Sequence, residues 1–122
     1  MVNIIFKKYR DTNKYYAFKS EGHANYNVDG PDILCAGIST VEQVIINKIM
    51  VETPSDGNRL IIGSGLIDFK VSVNQVWYDR IQCLFECLRD GLKQLEAQYP
   101  DNISIIEEEI YEDREWYEMA DH

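Results

Sequence analysis

The strongest constraint on the fold is an apolar stripe in the second half of the chain. Its members recur every three or four residues, which is the spacing of an α-helix with one buried face. Asn74 is a candidate N-cap for this helix, and Pro100 is expected to stop it. The stripe consists of Trp77, Ile81, Leu84, Phe85, Leu88, Leu92 and Leu95.

A second helix is predicted over residues 33–50, with Asp32 directly before it as a candidate N-cap. Its apolar residues are spaced by four, three, four and four positions, as expected for a helix packed on a sheet. Cys35 lies off this stripe, and Ser39 lies one turn after it. The stripe consists of Leu34, Ile38, Val41, Ile45 and Ile49.

Five segments have the alternating or β-branched composition of strands. The first two flank a polar turn and predict a hairpin, and the next two flank a Gly-Ser-Gly sequence that indicates a turn or bulge. The fifth follows the second helix. The segments are residues 2–7, 15–20, 59–62, 66–72 and 103–106.

The resulting order, β-β-α-β-β-α-β, predicts an α+β fold in which both helices pack on one sheet as a two-layer sandwich. A chain of 122 residues is expected to form one domain. We assign residues 1–107 to that domain and residues 108–122 to an acidic C-terminal extension.

One histidine and one cysteine are placed to meet between the first hairpin and the first helix. His23 follows the predicted strand, and Cys35 lies in the first helical turn. Unsatisfied backbone N–H groups and the positive end of the helix dipole favour the thiolate form of a cysteine there. A nearby histidine can accept the thiol proton, and helix-start N–H groups can stabilise an oxyanion. This pattern is typical of a cysteine peptidase with Cys35 as nucleophile and His23 as base.

The residues around this pair resemble a known family, the ribosomal-processing cysteine proteases called Prp. That family carries Gly-His-Ala, a short loop, and then Asp-Ile-Val-Cys-Ala-Ala/Gly-x-Ser. This chain has Gly-His-Ala at 22–24 and Asp-Ile-Leu-Cys-Ala-Gly-Ile-Ser at 32–39, at the family's spacing. Asn27 stands where members often have glycine, and Pro31 stands where they have another residue. Both departures concern the mobility of the loop, which we expect to act as a lid.

The resemblance implies a substrate and a state of assembly as well as a fold. It implies a homodimeric cysteine endopeptidase that removes the N-terminal extension of ribosomal large-subunit protein twenty-seven and so supports ribosome assembly. The partner is then a basic ribosomal protein, and neither a metal nor a cofactor is expected.

Each candidate residue also has a structural interpretation. Cys35 alone could be a small core residue, and His23 a loop residue bonded to backbone. Asp32 is predicted to cap the helix or to orient the histidine. Ser39 is expected to support the thiol or to fill the helix face, and Gly22 to allow a sharp turn or merely to end a strand.

Two other functions are compatible with the residues. A non-catalytic ribosome-associated or assembly-binding protein would keep the motif only for packing, and a redox thiol would need a second cysteine near Cys35. Cys83 and Cys87 share one helical face, but no further ligand is close to them in sequence, so core packing is expected rather than a metal site.

The charge of the chain argues against direct nucleic-acid binding. Of the formal net charge of −9, residues 107–122 carry −7 and residues 1–106 carry −2. A chain of this sign repels phosphate backbones and suits a basic protein partner, which the acidic end is expected to attract. Three cysteines, an odd number, and the lack of an obvious membrane span predict a cytoplasmic protein with reduced thiols and no membrane contact.

Overall fold

The computed structural model describes residues 1–27, 32–53, 57–72 and 78–111. The element order is the predicted one, and the α+β class is confirmed. The predicted cap Asn74 and the first stripe residue Trp77 lie outside the described residues. The elements are β1 (Val2–Tyr9), β2 (Lys14–Gly22), α1 (Ile33–Glu52), β3 (Arg59–Gly63), β4 (Leu66–Lys70), α2 (Tyr78–Gln98) and β5 (Ile103–Ile110).

The five strands form one mixed sheet in the order β3-β4-β2-β1-β5. Strand β1 pairs antiparallel with β2 and parallel with β5, so that Val2 lies opposite both Gly22 and Ile103. The hairpin β3–β4 joins the sheet through the antiparallel pair β2–β4. The first hairpin therefore occupies the centre of the sheet, and β3 and β5 form its edges.

Both helices contribute to a single core with the sheet. The rings of Phe6 and Phe18 pack with centroids 5.1 Å apart, and Phe69 stacks on Phe85 of α2 at 6.3 Å. The predicted stripe of α2 is confirmed over the described part of the helix, where its central residues are fully buried. These are Ile81, Phe85, Leu88 and Leu92.

The buried face of α1 differs from the predicted stripe. Val41 and Ile45 are only partly buried, whereas the neighbouring Ile46 is 3% exposed. The core-facing positions advance by four residues where we expected a step of three, and this places the carboxylate Glu42 on the buried face. The buried residues of α1 are Leu34, Ile38, Glu42, Ile46 and Ile49.

By length and composition alone, α1 is long and apolar enough to cross a membrane. This corrects our expectation that the sequence has no such segment. In the structure α1 lies on the sheet with its buried face in the core, and helices of this kind pass the same test of length and composition.

Strand β5 extends beyond the predicted one, through Ile110. Carboxylates expected in the acidic extension therefore belong to the sheet, and the predicted boundary at residue 107 falls inside a strand. Lys8 on β1 lies 3.7 Å from Glu107 and 3.6 Å from Glu109, and Arg10 lies 3.3 Å from Glu109. Lys8 on β1 and Arg10 directly after that strand therefore place positive charge beside these glutamates, which explains why they can lie in a strand.

The two cysteines of α2 are exposed, so our expectation that they pack in the core is wrong. Cys83 lies two positions after the buried Ile81, which turns it about 200° away from the core-facing side. Cys87 lies one turn further on. Among the described residues, no three or more His, Cys, Asp or Glu side chains are placed to hold a metal ion.

Candidate active site

A cleft of about 110 Å³ lies between the end of β2, the first half of α1 and the turn from β3 to β4. His23 and Cys35 both line it, from the end of β2 and the first turn of α1. Gly22 and Ser39 line it as well. Asp32 is not part of the lining; it lies at the cap of α1. The structure thus brings four of the five predicted site residues to one cleft.

Asp32 holds the start of α1 in place. Its Oδ1 accepts the backbone N–H of Cys35 at 2.9 Å, and its Oδ2 accepts that of Tyr26 at 3.1 Å. The hydrogen bond from the Cys35 backbone is the main cause that lowers the pKa of the Asp32 carboxyl. Asp32 is therefore the N-cap residue, one of its two predicted roles. His23 is not among its described partners, so the structure gives no support to the role of orienting the histidine.

The N–H groups nearest the thiol are already hydrogen-bonded. That of Cys35 is held by the Asp32 side chain, and that of Ala36 donates to the Asp32 carbonyl at 3.0 Å. We expected helix-start N–H groups to form an oxyanion hole. An oxyanion hole built from these two would first require the cap to rearrange.

The imidazole of His23 rests against a glycine. A Cβ added at Gly65 would lie 2.7 Å from Nε2 and 2.9 Å from Cε1 of His23, so only a residue without a side chain allows this position of the ring. Gly65 has a φ of 63°, which also favours glycine. Its carbonyl accepts the Gly22 N–H at 2.8 Å, which ties the turn to the end of β2.

Gly65 is the site residue that sequence reasoning missed. From the Gly-Ser-Gly sequence we predict only a turn or bulge, and a turn does join β3 and β4 there. Its contact with a histidine 42 positions earlier is visible only in three dimensions.

Gly22 is the last residue of β2 and has a φ of 108°. A Cβ at this position would lie 2.4 Å from the carbonyl oxygen of Met1, a distance at which the backbone would have to move. Both predicted roles are therefore present together, because the residue ends the strand and turns the chain beside His23.

The loop after His23 is anchored in its described part. The buried Ala24 accepts a hydrogen bond from the Asn102 side chain at 2.8 Å, and the Tyr26 ring meets Tyr99 edge-on at 5.4 Å. Asn25 has a φ of 56°, so a positive φ occurs two residues before Asn27. Residues 28–31, including Pro31, lie outside the described residues, and the movement of the loop stays a prediction.

Ser39 and Glu42 continue the cleft along α1. The Ser39 hydroxyl accepts a hydrogen bond from the Gln43 side chain at 2.8 Å. Glu42 is only 3% exposed, and burial raises the pKa of its carboxyl to about 7, while a hydrogen bond from the Ser20 hydroxyl opposes the shift. Glu42 was not among the predicted site residues, because apolar periodicity counts only apolar residues and buried carboxylates are rare.

The side chains of His23 and Cys35 are not hydrogen-bonded to each other in the cleft. In the described part of the structure, His23 is exposed, Cys35 is partly buried, and neither donates to the other. Hydrogen bonds of catalytic groups are often long in substrate-free sites and tighten when substrate binds. The arrangement therefore places a thiol and an imidazole in one cleft without joining them.

Comparison with known proteins gives concordant results. Residues 1–104 match the family described as Cysteine protease Prp. The ribosomal processing cysteine protease Prp of Bacillus subtilis (strain 168) is 27% identical over 97 residues, which cover 73% of this chain and 82% of the relative.

Two crystal structures of an essential ribosomal processing protease Prp from S. aureus share the fold. The complex with a covalently linked product peptide has a TM-score of 0.70 at 25% identity, covering 88% of this chain and 100% of that one. The complex with a substrate peptide has a TM-score of 0.72 at 23% identity, with the same coverage. The motif at residues 22–24 and 32–39 predicted this result, and the chain belongs to the cysteine protease Prp family.

Proposed function

We propose that this chain is a cysteine endopeptidase in which Cys35 is the nucleophile and His23 is the general base and then the general acid. The observation that carries the proposal is that both side chains line one cleft, with the thiol in the first turn of α1. Gly65 leaves room for the imidazole beside this cleft.

The reaction needs only the groups of this cleft, the peptide and water. His23 accepts the thiol proton, and the Cys35 sulfur attacks the scissile carbonyl carbon. The C–N bond then breaks, the leaving amine takes the proton from the imidazolium, and a thioester remains on the enzyme. Water, deprotonated by the same imidazole, hydrolyses the thioester and restores the thiol. Asp32 supports these steps by holding the backbone of Cys35.

For the substrate we propose the N-terminal extension of ribosomal large-subunit protein twenty-seven. The family resemblance supports this choice, and so do the ribosomal-processing relatives, one of which is seen with a substrate peptide. The net charge of −9 suits a basic ribosomal protein. The proposal assigns the enzyme a role in ribosome assembly.

Mass spectrometry of peptides spanning the junction between extension and mature protein tests the reaction and the cleavage site together. The purified chain should yield two products whose masses add up to the peptide plus one water. Cys35→Ala should yield none while it still unfolds cooperatively, because the Cys35 side chain is only partly buried against the core. Cleavage by Cys35→Ala would rule out the mechanism. Peptide binding without cleavage by the wild type would favour the assembly-binding alternative.

We further propose a cytoplasmic homodimer. All three cysteines are free, as suits a reducing compartment. The edge strand β3 exposes Leu60, Ile61 and Ile62 at 36%, 40% and 58%, and such an edge can pair with a second copy. Light scattering after size-exclusion chromatography should give twice the chain mass for the wild type. Ile61→Lys should reduce that mass, and a wild-type monomer would contradict the proposal.

A further inference from the structure

Glu42 is a buried carboxylate that the proposed chemistry does not use. It is 3% exposed and lies on the buried face of α1. Its Oε2 has no hydrogen-bond partner in the part of the chain that the structure describes. Leaving a buried carboxylate oxygen unpaired is energetically unfavourable, so a position of this kind calls for a partner from outside the chain.

The surroundings of Glu42 offer a donor but no counter-ion. The buried Ser20 hydroxyl lines the same cleft and partly offsets the effect of burial on the pKa of the carboxyl. The described lining of the cleft includes Glu42 but no lysine or arginine. A cation that entered the cleft near Glu42 would therefore find an unpaired acceptor and no lysine or arginine side chain competing for it.

The position of Glu42 relative to the thiol fits a peptide that runs along α1. Glu42 follows Cys35 by seven residues, which is two helical turns on the same side and about 10 Å along the axis. An extended peptide advances about 3.3 Å per residue, so this distance corresponds to about three residues. Ser39 lies between them in the same cleft, and Ile38 and Ile67 supply apolar lining.

We propose that Glu42 is the recognition group of a specificity subsite for a lysine or arginine side chain of the substrate, about three residues from the scissile bond. This inference rests on the proposed function, since it places the peptide by its attack on Cys35. The aliphatic part of the basic side chain packs against Ile38 and Ile67, and its charged end meets the Glu42 carboxylate.

A positional scan of the junction peptide tests the subsite. In one series lysine replaces each of the four residues on either side of the cleavage site, and in a second series norleucine replaces them. Wild type should prefer lysine to norleucine at one position by at least about tenfold in kcat/KM, because norleucine keeps most of the aliphatic chain and lacks the charge. Glu42→Leu should lose that preference.

Glu52→Gln is the matched control, since it removes the other carboxylate of α1 and does not line the cleft. It should keep the lysine preference. Glu42→Gln serves as a second variant that keeps the shape of the side chain, and thermal unfolding establishes that each variant folds.

Calorimetric binding of the same peptide pairs to Cys35→Ala separates this inference from the proposed function. Tighter binding of the lysine peptide, lost when Glu42→Leu is added, supports the subsite even if no peptide is cleaved. Equal binding and equal cleavage of both series by wild type would overturn it and leave the protease assignment intact. A lysine preference that remains in the Glu42→Leu variant would likewise overturn the subsite and leave the protease assignment intact.

Discussion

Two polar regions of this molecule treat their carboxylates in opposite ways. Beside β5, the Tyr15 hydroxyl donates to Glu107 at 2.6 Å and accepts from Arg89 at 2.6 Å, with Lys8 3.7 Å from the same carboxylate. In the cleft, Glu42 is buried with one carboxylate oxygen that has no hydrogen-bond partner among the described residues. The first carboxylate has its partners within the chain, and the second is the one that we propose a basic substrate side chain completes.

The titration of the groups reflects this difference. Chiefly the hydrogen bond from Tyr15 lowers the pKa of Glu107, while burial and the contact with Glu107 raise the pKa of Tyr15 to about 12. Burial raises the pKa of Glu42 to about 7. Replacing the Glu42 carboxylate should therefore alter activity and leave or improve stability, whereas changes beside β5 should lower stability and leave activity unaltered.

The largest effect is expected from Gly65→Ala. The new Cβ would overlap the His23 ring, and the ring has to move away from the cleft. We expect kcat/KM for the junction peptide to fall by at least about 100-fold, with about 1–3 kcal/mol lost from the free energy of unfolding because φ is positive. Gly91→Ala is the control, since a Cβ at this α2 position meets nothing within 4 Å. Full activity of Gly65→Ala would mean that His23 need not occupy this position.

Glu42→Gln should raise the free energy of unfolding, although most core substitutions lower it, and the size of the increase should depend on pH. Because the pKa of Glu42 rises from 4.5 to about 7 on folding, the folded protein binds the proton more tightly. Wild type thus loses stability as pH rises from about 4.5 towards and past 7, by about 3 kcal/mol in total. The glutamine variant avoids this loss, so its advantage should be near zero at pH 4 and largest at pH 8.

Urea unfolding across that range measures the advantage, and Glu52→Gln provides a contrast of opposite sign. Contacts with Lys48 and Arg80 lower the pKa of Glu52, so this carboxylate contributes stability above its unfolded pKa that is lost as pH falls. A pH-independent difference between wild type and Glu42→Gln would show that Glu42 is not the strained group.

Tyr15→Phe should act on stability alone. It removes the hydroxyl that links Arg89 to Glu107, at a cost of about 1 kcal/mol in the free energy of unfolding. Tyr111→Phe removes an exposed hydroxyl near Arg10 and should change stability very little. Denaturant unfolding and kcat/KM measured side by side test both variants. A loss of activity larger than the loss of folded protein would break the division between the two regions.

The smallest effect is expected from removing residues 112–122. Glu107 and Glu109 are engaged by Lys8 and Arg10, so any attraction of a basic substrate falls mainly to the charges after Tyr111. Truncation should lower kcat/KM about two- to threefold at low salt, leave kcat unchanged and flatten the salt dependence. An unaltered salt dependence would assign those charges another role.

The sequence predicted the parts of this molecule that depend on local patterns. The period of the α2 stripe, Asp32 before α1 and the His23–Cys35 spacing all concern residues close along the chain, and each is found in the structure. The role of Gly65 could not be predicted from the sequence. Glycine is needed there because the His23 ring lies against it, and the two residues become neighbours only when β2 and β4 pair.

Glu42 and β5 were missed for a related reason. A count of apolar residues passes over a carboxylate, so the predicted stripe of α1 includes Val41 and not the neighbouring Glu42, which is the buried residue. Three consecutive glutamates are typical of a solvated tail, and only the pairing of β5 with β1 brings Lys8 beside them. In both cases a distant neighbour, rather than local propensity, decides where the side chain lies.

The parallel pair β1–β5 affects the order in which this chain can fold while it is being synthesised. Four of the five strands and all of the described cleft lining precede residue 72, but β1 gains its second neighbour only when Ile103–Ile110 has been synthesised. Joining strands about a hundred residues apart requires a large loop closure, which slows folding. Until β5 has been synthesised, β1 would have an open edge on the side opposite β2, and pairing with β5 protects that edge from other chains.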